Sequence, residues 1–282
     1  MTTPVQDLDS ADIKEQALSA WFVERGSALV GFSGGIDSAY VACVARDALG
    51  AQRMLAVIGR SAAYPEAQWE HARAVARQLD LPVLEVATDE LADPRYAANP
   101  TDRCYYCKAV LWQTLMPIAA ERGLAVIVDG TNADDGSDYR PGRRAAAEGQ
   151  VRSPLAELGF SKAEIRSLSR RRGIPGWEKP SSPCLASRLP YGFAVTSERL
   201  AQVERAEAAL RALGIAGNLR VRHHGDLARI ELDAAELEYW LEPAQRRKLR
   251  HAVLASGFAR VAVDLRGFRS GSLNVLSGIA PQ

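Results

Sequence analysis

Net charge is nearly absent from this chain: 35 Lys and Arg stand against 34 Asp and Glu, leaving +1. No global pull toward nucleic acid or a membrane surface follows, and a polynucleotide-modifying enzyme would ordinarily carry a basic excess. Long apolar runs are also missing, so nothing approaches the length of a membrane span. Residues 1–12 have neither a cationic start nor an apolar core, so they do not read as a signal peptide. The expectation is a cytoplasmic protein, where thiols stay reduced. Cysteine is scarce. Cys43, Cys104, Cys107 and Cys184 are then core residues, catalysts or metal ligands rather than disulfide partners. Histidine is equally scarce, and His71, His223, His224 and His251 show no ligand spacing with the cysteines. There is no internal repeat.

What is present is enough for a sizeable core. Hydrophobic residues make up 47% of a chain of 282, longer than one average domain, so two domains are expected. The dominant stretch is Val30–Ser38, V-G-F-S-G-G-I-D-S. An apolar run, Ala28-Leu29-Val30, precedes it, and Ala39–Ala45 follows with helical periodicity. That is strand, glycine turn, helix. Gly34 and Gly35 allow positive φ and a close approach to an anion, and the turn amides converge at a helix N-terminus. Ser33 and Ser38 add hydroxyl donors. No Lys-Ser or Lys-Thr follows, which excludes the Walker type of phosphate loop. Asp37 within an anion site makes sense if it faces a Mg²⁺ ion that accompanies phosphates. The competing reading is an ordinary glycine-rich turn.

S-G-G-I-D-S resembles the pyrophosphate loop of the ATP pyrophosphatases, which include NAD and GMP synthetases, argininosuccinate synthetase and the tRNA thiolases. The resemblance implies cleavage of ATP to AMP and pyrophosphate through an adenylylated substrate. The ATP and Mg²⁺ site it implies comprises Gly31, Ser33, Gly34, Gly35, Asp37 and Ser38, with Ser61 and Thr131 on other strand ends. Asp134 or Asp135, in T-N-A-D-D-G, could supply a second carboxylate, or could serve as a helix cap or a solvated turn.

The remaining pattern alternates strands and helices. Helices are expected over Ile13–Phe22, capped by Asp9 or Ser10, over Pro65–Leu79 and over Val110–Glu121, the last interrupted or bent at Pro117. Strands are expected at Met54–Ile58, Pro82–Val86 and Leu124–Gly130. This predicts a doubly wound, mainly parallel α/β domain over 1–191, with ligands at the carboxyl ends of its strands. Tyr139–Gly149 reads as a basic loop. Ser161–Glu164 has capping-box spacing, and the helix it opens ends near Gly173. Trp177–Tyr191 is proline-rich, without helical period, and long enough to be functional rather than idle. Residues 192–282 read as a smaller α+β domain with antiparallel pairing: a helix from Thr196 or Ser197 to Leu213, strands Leu219–His223 and Ala228–Leu232 joined through Gly225-Asp226, a helix over Pro243–Ser256 and a strand over Ala259–Leu265. The tail, Gly267–Gln282, is rich in Gly and Ser and is expected to be ordered only if docked.

Two cysteine features carry chemistry. Cys104-Tyr105-Tyr106-Cys107-Lys108 puts two sulfurs on one side of a turn, suited to a shared metal or a redox pair. Structural zinc would want two further ligands, whereas three cysteines, counting Cys184, fit an iron–sulfur cluster with one open iron. Two buried structural cysteines and an unrelated third are the alternative. Cys43 sits on the apolar face of its helix and reads as core. Cys184, in P-C-L-A-S-R, lies beside Ser187 and Arg188, a setting that favours thiolate. Taken in order, S-G-G-I-D-S, D-G-T-N-A-D-D, P-C-L-A-S-R and R-V-R-H-H-G-D-L-A-R-I-E resemble the LarE family of ATP-dependent sulfur transferases, from the first strand to Leu232.

The resemblance implies a small-molecule substrate, pyridinium-3,5-biscarboxylic acid mononucleotide. Its carboxylate would be adenylylated and then converted to a thiocarboxylate by sulfur held at Cys184, for the nickel-pincer cofactor of lactate racemase. By position, Asp37, Lys108, Asp135, Ser187 and Arg188 would surround AMP and pyrophosphate, and Arg220, Arg222 and Glu231 would lie near the substrate phosphate. Arg220 and Arg222 alternate along a strand and so share a face, which suits a phosphomonoester clamp or a solvated face. Cys104 and Cys107 set the chain apart from members that sacrifice a single cysteine; with Cys184 they resemble the branch holding a [4Fe-4S] cluster. A homo-oligomer, a sulfur donor and a downstream nickel-insertion protein are the partners implied. A tRNA thiolase, an amide-forming ligase and a non-catalytic ATP-binding redox sensor are the other readings.

Overall fold

A computed structural model of the chain describes residues 10–137, 141–179 and 182–269. Asp9 and most of the Gly/Ser-rich tail lie outside the described residues. Two compact units emerge among them: residues 10–61, 66–88 and 104–182, and residues 62–65, 89–103 and 183–269.

The first unit opens with α1 (Ser10–Arg25), β1 (Ala28–Gly31), α2 (Ile36–Leu49), β2 (Met54–Arg60), α3 (Glu66–Gln78) and β3 (Val83–Ala87). A short α4 (Pro94–Ala97) belongs to the second unit; α5 (Arg103–Glu121), β4 (Val126–Val128), α6 (Gly142–Glu148), α7 (Pro154–Glu157) and α8 (Lys162–Arg171) then complete the first. The four strands are parallel in the order β3-β2-β1-β4. Leu29, Leu55, Val57 and Ile127 point to one face, where Trp112, Leu115 and Ala119 of α5 bury them. Alternation sends Ala28, Val30 and Ala56 to the other face, and these are fully buried on the side where α1 packs on α2. Both faces are covered, as the unbroken apolar strands require.

Two elements differ from the sequence reading. The stretch expected as a basic loop contains α6. Arg143–Glu148 is a run of good helix formers, and Ala145 and Ala146 complete the core against Trp112. The helix expected from Val110 begins at Arg103, so Cys104 and Cys107 sit at its N-terminal end, one turn apart. Cys and Tyr have weak helix propensity, and apolar periodicity alone therefore misses that turn. The helix runs through Pro117 without the interruption that the proline made one expectation.

The second unit is built on α9 (Ser197–Ala212), β5 (Leu219–His224), β6 (Leu227–Leu232), α10 (Ala234–Leu241), α11 (Pro243–Ala255) and β7 (Arg260–Val263). Thr196 caps α9 by accepting from the Arg199 amide. The sheet order is β5-β6-β7. The hairpin is antiparallel, but β7 adds to β6 in parallel, because α10 and α11 carry the chain back across the sheet before it re-enters. Residues 89–103 join this unit through buried Asn99, whose amide donates to the carbonyls of Pro190 at 2.7 Å and Phe193 at 2.9 Å.

Candidate functional site

In the first unit the chain steps outward from β1 to β2 to β3, then returns to β4 on the other side of β1. The crevice at the carboxyl ends of β1 and β4 is therefore a topological switch point, where open α/β sheets hold ligands. The β1–α2 turn fills it. Gly34 has φ +68, and a Cβ there would lie 2.6 Å from the Cα of Ala72, so only glycine fits. Gly35 caps α2 without a side-chain hydrogen bond, which leaves the first-turn amides directed at the crevice. Ser38 Oγ donates to the Gly35 carbonyl at 2.9 Å and accepts from the Ser33 amide at 3.2 Å, bracing the turn.

From β4, Gly130 packs so tightly that a Cβ would lie 2.7 Å from the Ser38 amide nitrogen. Asp129 shapes this second loop, accepting from the Thr131 amide at 3.0 Å, the Thr131 hydroxyl at 2.9 Å and the Ser153 hydroxyl at 2.8 Å. Asp134 accepts from the Lys162 amide at 2.7 Å, and Asp135 from the Asn132 amide at 3.1 Å. Ser61 follows the carboxyl end of β2 at the same sheet edge. Gly31 gives room to Trp112, whose ring would lie 3.1 Å from a Cβ. Lys108 reaches over the Trp112 ring, 5.0 Å from its centroid.

Lys162 is a site residue that the sequence reading missed. Its ammonium forms an ion pair with the Asp37 carboxylate. It is the first residue of α8, placed there by the Ser161–Glu164 capping box, and α8 packs on α2. The capping box was legible; that it delivers a cation to a carboxylate 125 residues away was not. Cys104 is exposed and Cys107 half-buried, one helical turn apart on α5. The Cys43 thiol is pushed up by burial, against the pull of Arg172 nearby.

In the second unit the Cys184 segment forms a short 3₁₀ turn, Leu185–Arg188. Its carbonyls are gripped by buried arginines. Arg188 donates to the carbonyls of Pro183 at 2.6 Å and Cys184 at 3.1 Å, and is locked by Glu207 through two bonds of 2.9 Å. Arg103 holds the Ala186 carbonyl at 3.0 Å, and Arg222 the Ser187 carbonyl at 2.9 Å. The Ser187 hydroxyl donates to the Cys184 carbonyl at 2.7 Å. Arg188 therefore orders the loop that carries Cys184, with its own charge answered by Glu207.

Arg222 also pairs with Glu231 at 2.7 Å, and Arg229 reaches the other oxygen of Glu231 at 2.9 Å and Asp264 at 3.4 Å. Arg220 is different. It is 8% exposed, donates to the Leu219 carbonyl at 2.7 Å and rests over the Phe268 ring. It forms no ion pair among the described residues. Burial, and then the neighbouring Arg188 charge, push its pKa down to about 10. At neutral pH it is a buried cation, and an anion beside it would be stabilised.

His223 lies between Phe193 and Phe258, with Nε2 3.0 Å from Gln202 Oε1. Burial lowers its pKa to about 4, with Arg199 acting in the same direction. His224 is lowered too, by burial and then by Arg229. Between about pH 6.5 and 4 the unfolded chain binds protons that the folded chain does not, so stability falls as pH falls through that window. For His223 alone the loss is about 3 kcal/mol. Urea titrations at both ends of the window should show that His223→Phe reduces this acid loss; an unchanged pH slope would refute the assignment.

A parallel sheet with a glycine anion cradle at its switch point, no Walker lysine and an aspartate in the first turn of the following helix defines a nucleotide-handling protein of the pyrophosphate-loop class. The NAD synthase family model matches residues 17–98, which include that loop. An uncharacterised protein of Synechocystis is 44% identical over 261 residues, spanning 93% of this chain and 97% of its own. The pyridinium-3,5-bisthiocarboxylic acid mononucleotide synthase of Lactiplantibacillus plantarum is 38% identical over 261 residues, 93% of this chain and 94% of its own. A glutamine-hydrolysing GMP synthase of Aeropyrum pernix is 30% identical over 214 residues, but these make up only 41% of that enzyme. The chain belongs to the LarE family of ATP-using sulfur transferases.

Among the described residues, no group of three or more His, Cys, Asp or Glu side chains is placed to hold a metal ion. No helix among them is long and apolar enough to cross a membrane.

Proposed function

We propose that this chain uses ATP to convert carboxylates of pyridinium-3,5-biscarboxylic acid mononucleotide into thiocarboxylates, for a nickel-pincer cofactor. The observation that carries the reading is the 38% identity to the Lactiplantibacillus plantarum synthase over 93% of this chain. A substrate carboxylate oxygen attacks the α-phosphorus of ATP and pyrophosphate leaves. A sulfide-level sulfur then attacks the acyl carbon, and AMP departs with the oxygen. The glycine turn and the α2 amides bind the phosphates, with Gly31, Ser33, Ser38, Ser61, Thr131 and Asp135 around the nucleotide. Asp37 is the residue to share with Mg²⁺, and Lys162 already balances its charge. Lys108 and Ser187 complete the AMP surroundings. Arg220 supplies the positive charge for the substrate phosphate, and Arg222 with Glu231 holds the strand that presents it.

The sulfur carrier in this reading is a [4Fe-4S] cluster on Cys104, Cys107 and Cys184. Cys104 and Cys107, one turn apart on an exposed helix end, suit two ligands of one cluster. If bound, the cluster would be held by those three thiolates and would supply the sulfur to be transferred. Location in the cytoplasm, self-assembly into a homo-oligomer, and a sulfur donor and nickel-insertion protein as partners belong to the same proposal.

Anaerobic reconstitution tests the carrier. Iron and sulfide should bind the wild-type chain and be lost in Cys104→Ala and Cys184→Ala; equal iron in the variants would refute the cluster. Incubation of the loaded protein with ATP and the dicarboxylate nucleotide should release AMP and raise the product mass by one oxygen-to-sulfur exchange. An unchanged substrate mass would refute the proposed function.

A further inference from the structure

The C-terminal sheet has an edge that takes no part in nucleotide or cysteine chemistry. Strand β7 pairs only with β6 among the described residues. The amides of Arg260 and Asp264 donate toward β6, to the carbonyls of Asp226 at 3.0 Å and Ile230 at 2.9 Å. In a parallel pair alternate residues face the partner strand, so Val261 and Val263 direct their N–H and C=O groups outward. An open edge of this kind is a template for another strand.

Beside that edge runs a groove of about 460 Å³, between β7 and α11. Val261, Val263, Leu265 and Leu249 form its apolar floor, and Leu265 is 74% exposed. Arg246, Arg247 and Arg250 form its rim. Neighbouring arginines are neutralised, Arg260 by Asp226 at 2.6 Å and Arg229 by Glu231 at 2.9 Å. The three rim arginines have no ion-pair partner among the described residues, and α11 contains no acidic residue to supply one. The groove is therefore apolar below, cationic at its lip and open to backbone pairing along one side.

We propose that this groove docks an extended segment of a partner protein whose every second side chain, turned toward α11, is either apolar or acidic. The segment adds to β7 through Val261 and Val263, its apolar side chains enter the floor, and its carboxylates meet Arg246, Arg247 and Arg250. Strand addition supplies affinity through the main chain and specificity through alternate side chains. Charge complementarity selects this occupant. Residues 270–282 of the chain itself hold no acidic side chain, so they do not match the rim. A nucleic acid would match the arginines and leave the apolar floor unused.

The test uses the full chain and a fluorescein-labelled synthetic peptide of about ten residues in which Val and Glu take turns at every second position and Thr fills the positions between, read by fluorescence anisotropy. Binding should weaken with salt and fall about tenfold or more in R246E/R250E. V263P, which removes an outward N–H and no bond to β6, should weaken it as well; should V263P fail to fold, R246E/R250E decides alone. No binding, or equal binding of a peptide with Gln for every Glu, would overturn the proposal. So would displacement of the peptide by a uridine oligonucleotide, binding that appears only after deletion of 270–282, or a sedimenting self-complex that R246E/R250E abolishes.

Discussion

Lys162→Met should lower ATP-dependent AMP release by about 100-fold to 1,000-fold, the scale set by losing one preorganised charge at a developing anion. Lys162 reaches the pyrophosphate loop from the first turn of α8, and its ammonium pairs with Asp37 in the first turn of α2. The pair keeps a carboxylate from repelling the incoming triphosphate, and it leaves a cation in place when pyrophosphate departs. Asp37→Asn should be comparably damaging, because it removes the carboxylate proposed to share Mg²⁺ and releases Lys162. Since the two act as a unit, the double variant should lose much less than the product of the single losses. Lys162→Arg, which keeps the charge, should recover part of the rate. Equilibrium binding of ATP gives a readout independent of turnover and should weaken in the Met variant. Wild-type AMP release by Lys162→Met would remove Lys162 from the site.

Arg188→Met should destabilise the C-terminal unit by about 3–5 kcal/mol, the cost of breaking a buried ion pair by deleting one partner. Arg188 has 2% of its side chain exposed, and its loss removes the countercharge of Glu207 and strands the Pro183 carbonyl. Replacing Arg188 and Glu207 together with methionine should be milder, since no uncompensated charge remains. Arg220→Met is the control. That guanidinium is also buried but forms no ion pair among the described residues, so its removal should leave stability unchanged or raise it. The same change should abolish substrate phosphate binding. Urea unfolding checks both variants. An Arg188→Met protein within about 1 kcal/mol of wild type would overturn the view that this arginine holds the Cys184 loop.

These outcomes separate two residue types that look alike in the sequence. Arg188, Arg220 and Arg222 all read as ligand-facing cations beside a cysteine or on a strand face. Their roles divide on where Glu207 and Glu231 lie, and sequence spacing does not place those carboxylates. Lys162 went unnoticed for the same reason.

By itself the sequence determined the parallel α/β unit, the glycine cradle between β1 and α2, the capping box at Ser161 and the hairpin of the second unit. Each rests on local geometry: apolar period, a glycine that must take positive φ, a cap three residues from its partner. Only the tertiary structure decided that 143–148 is helical, that Cys104 and Cys107 lie one turn apart at the start of a helix, that β7 enters in parallel, and which arginines are neutralised. Those features depend on burial against distant residues. Ala145 meets Trp112, Lys162 meets Asp37 and Arg222 meets Glu231 because folding brings their backbones together, and no local pattern encodes the meeting.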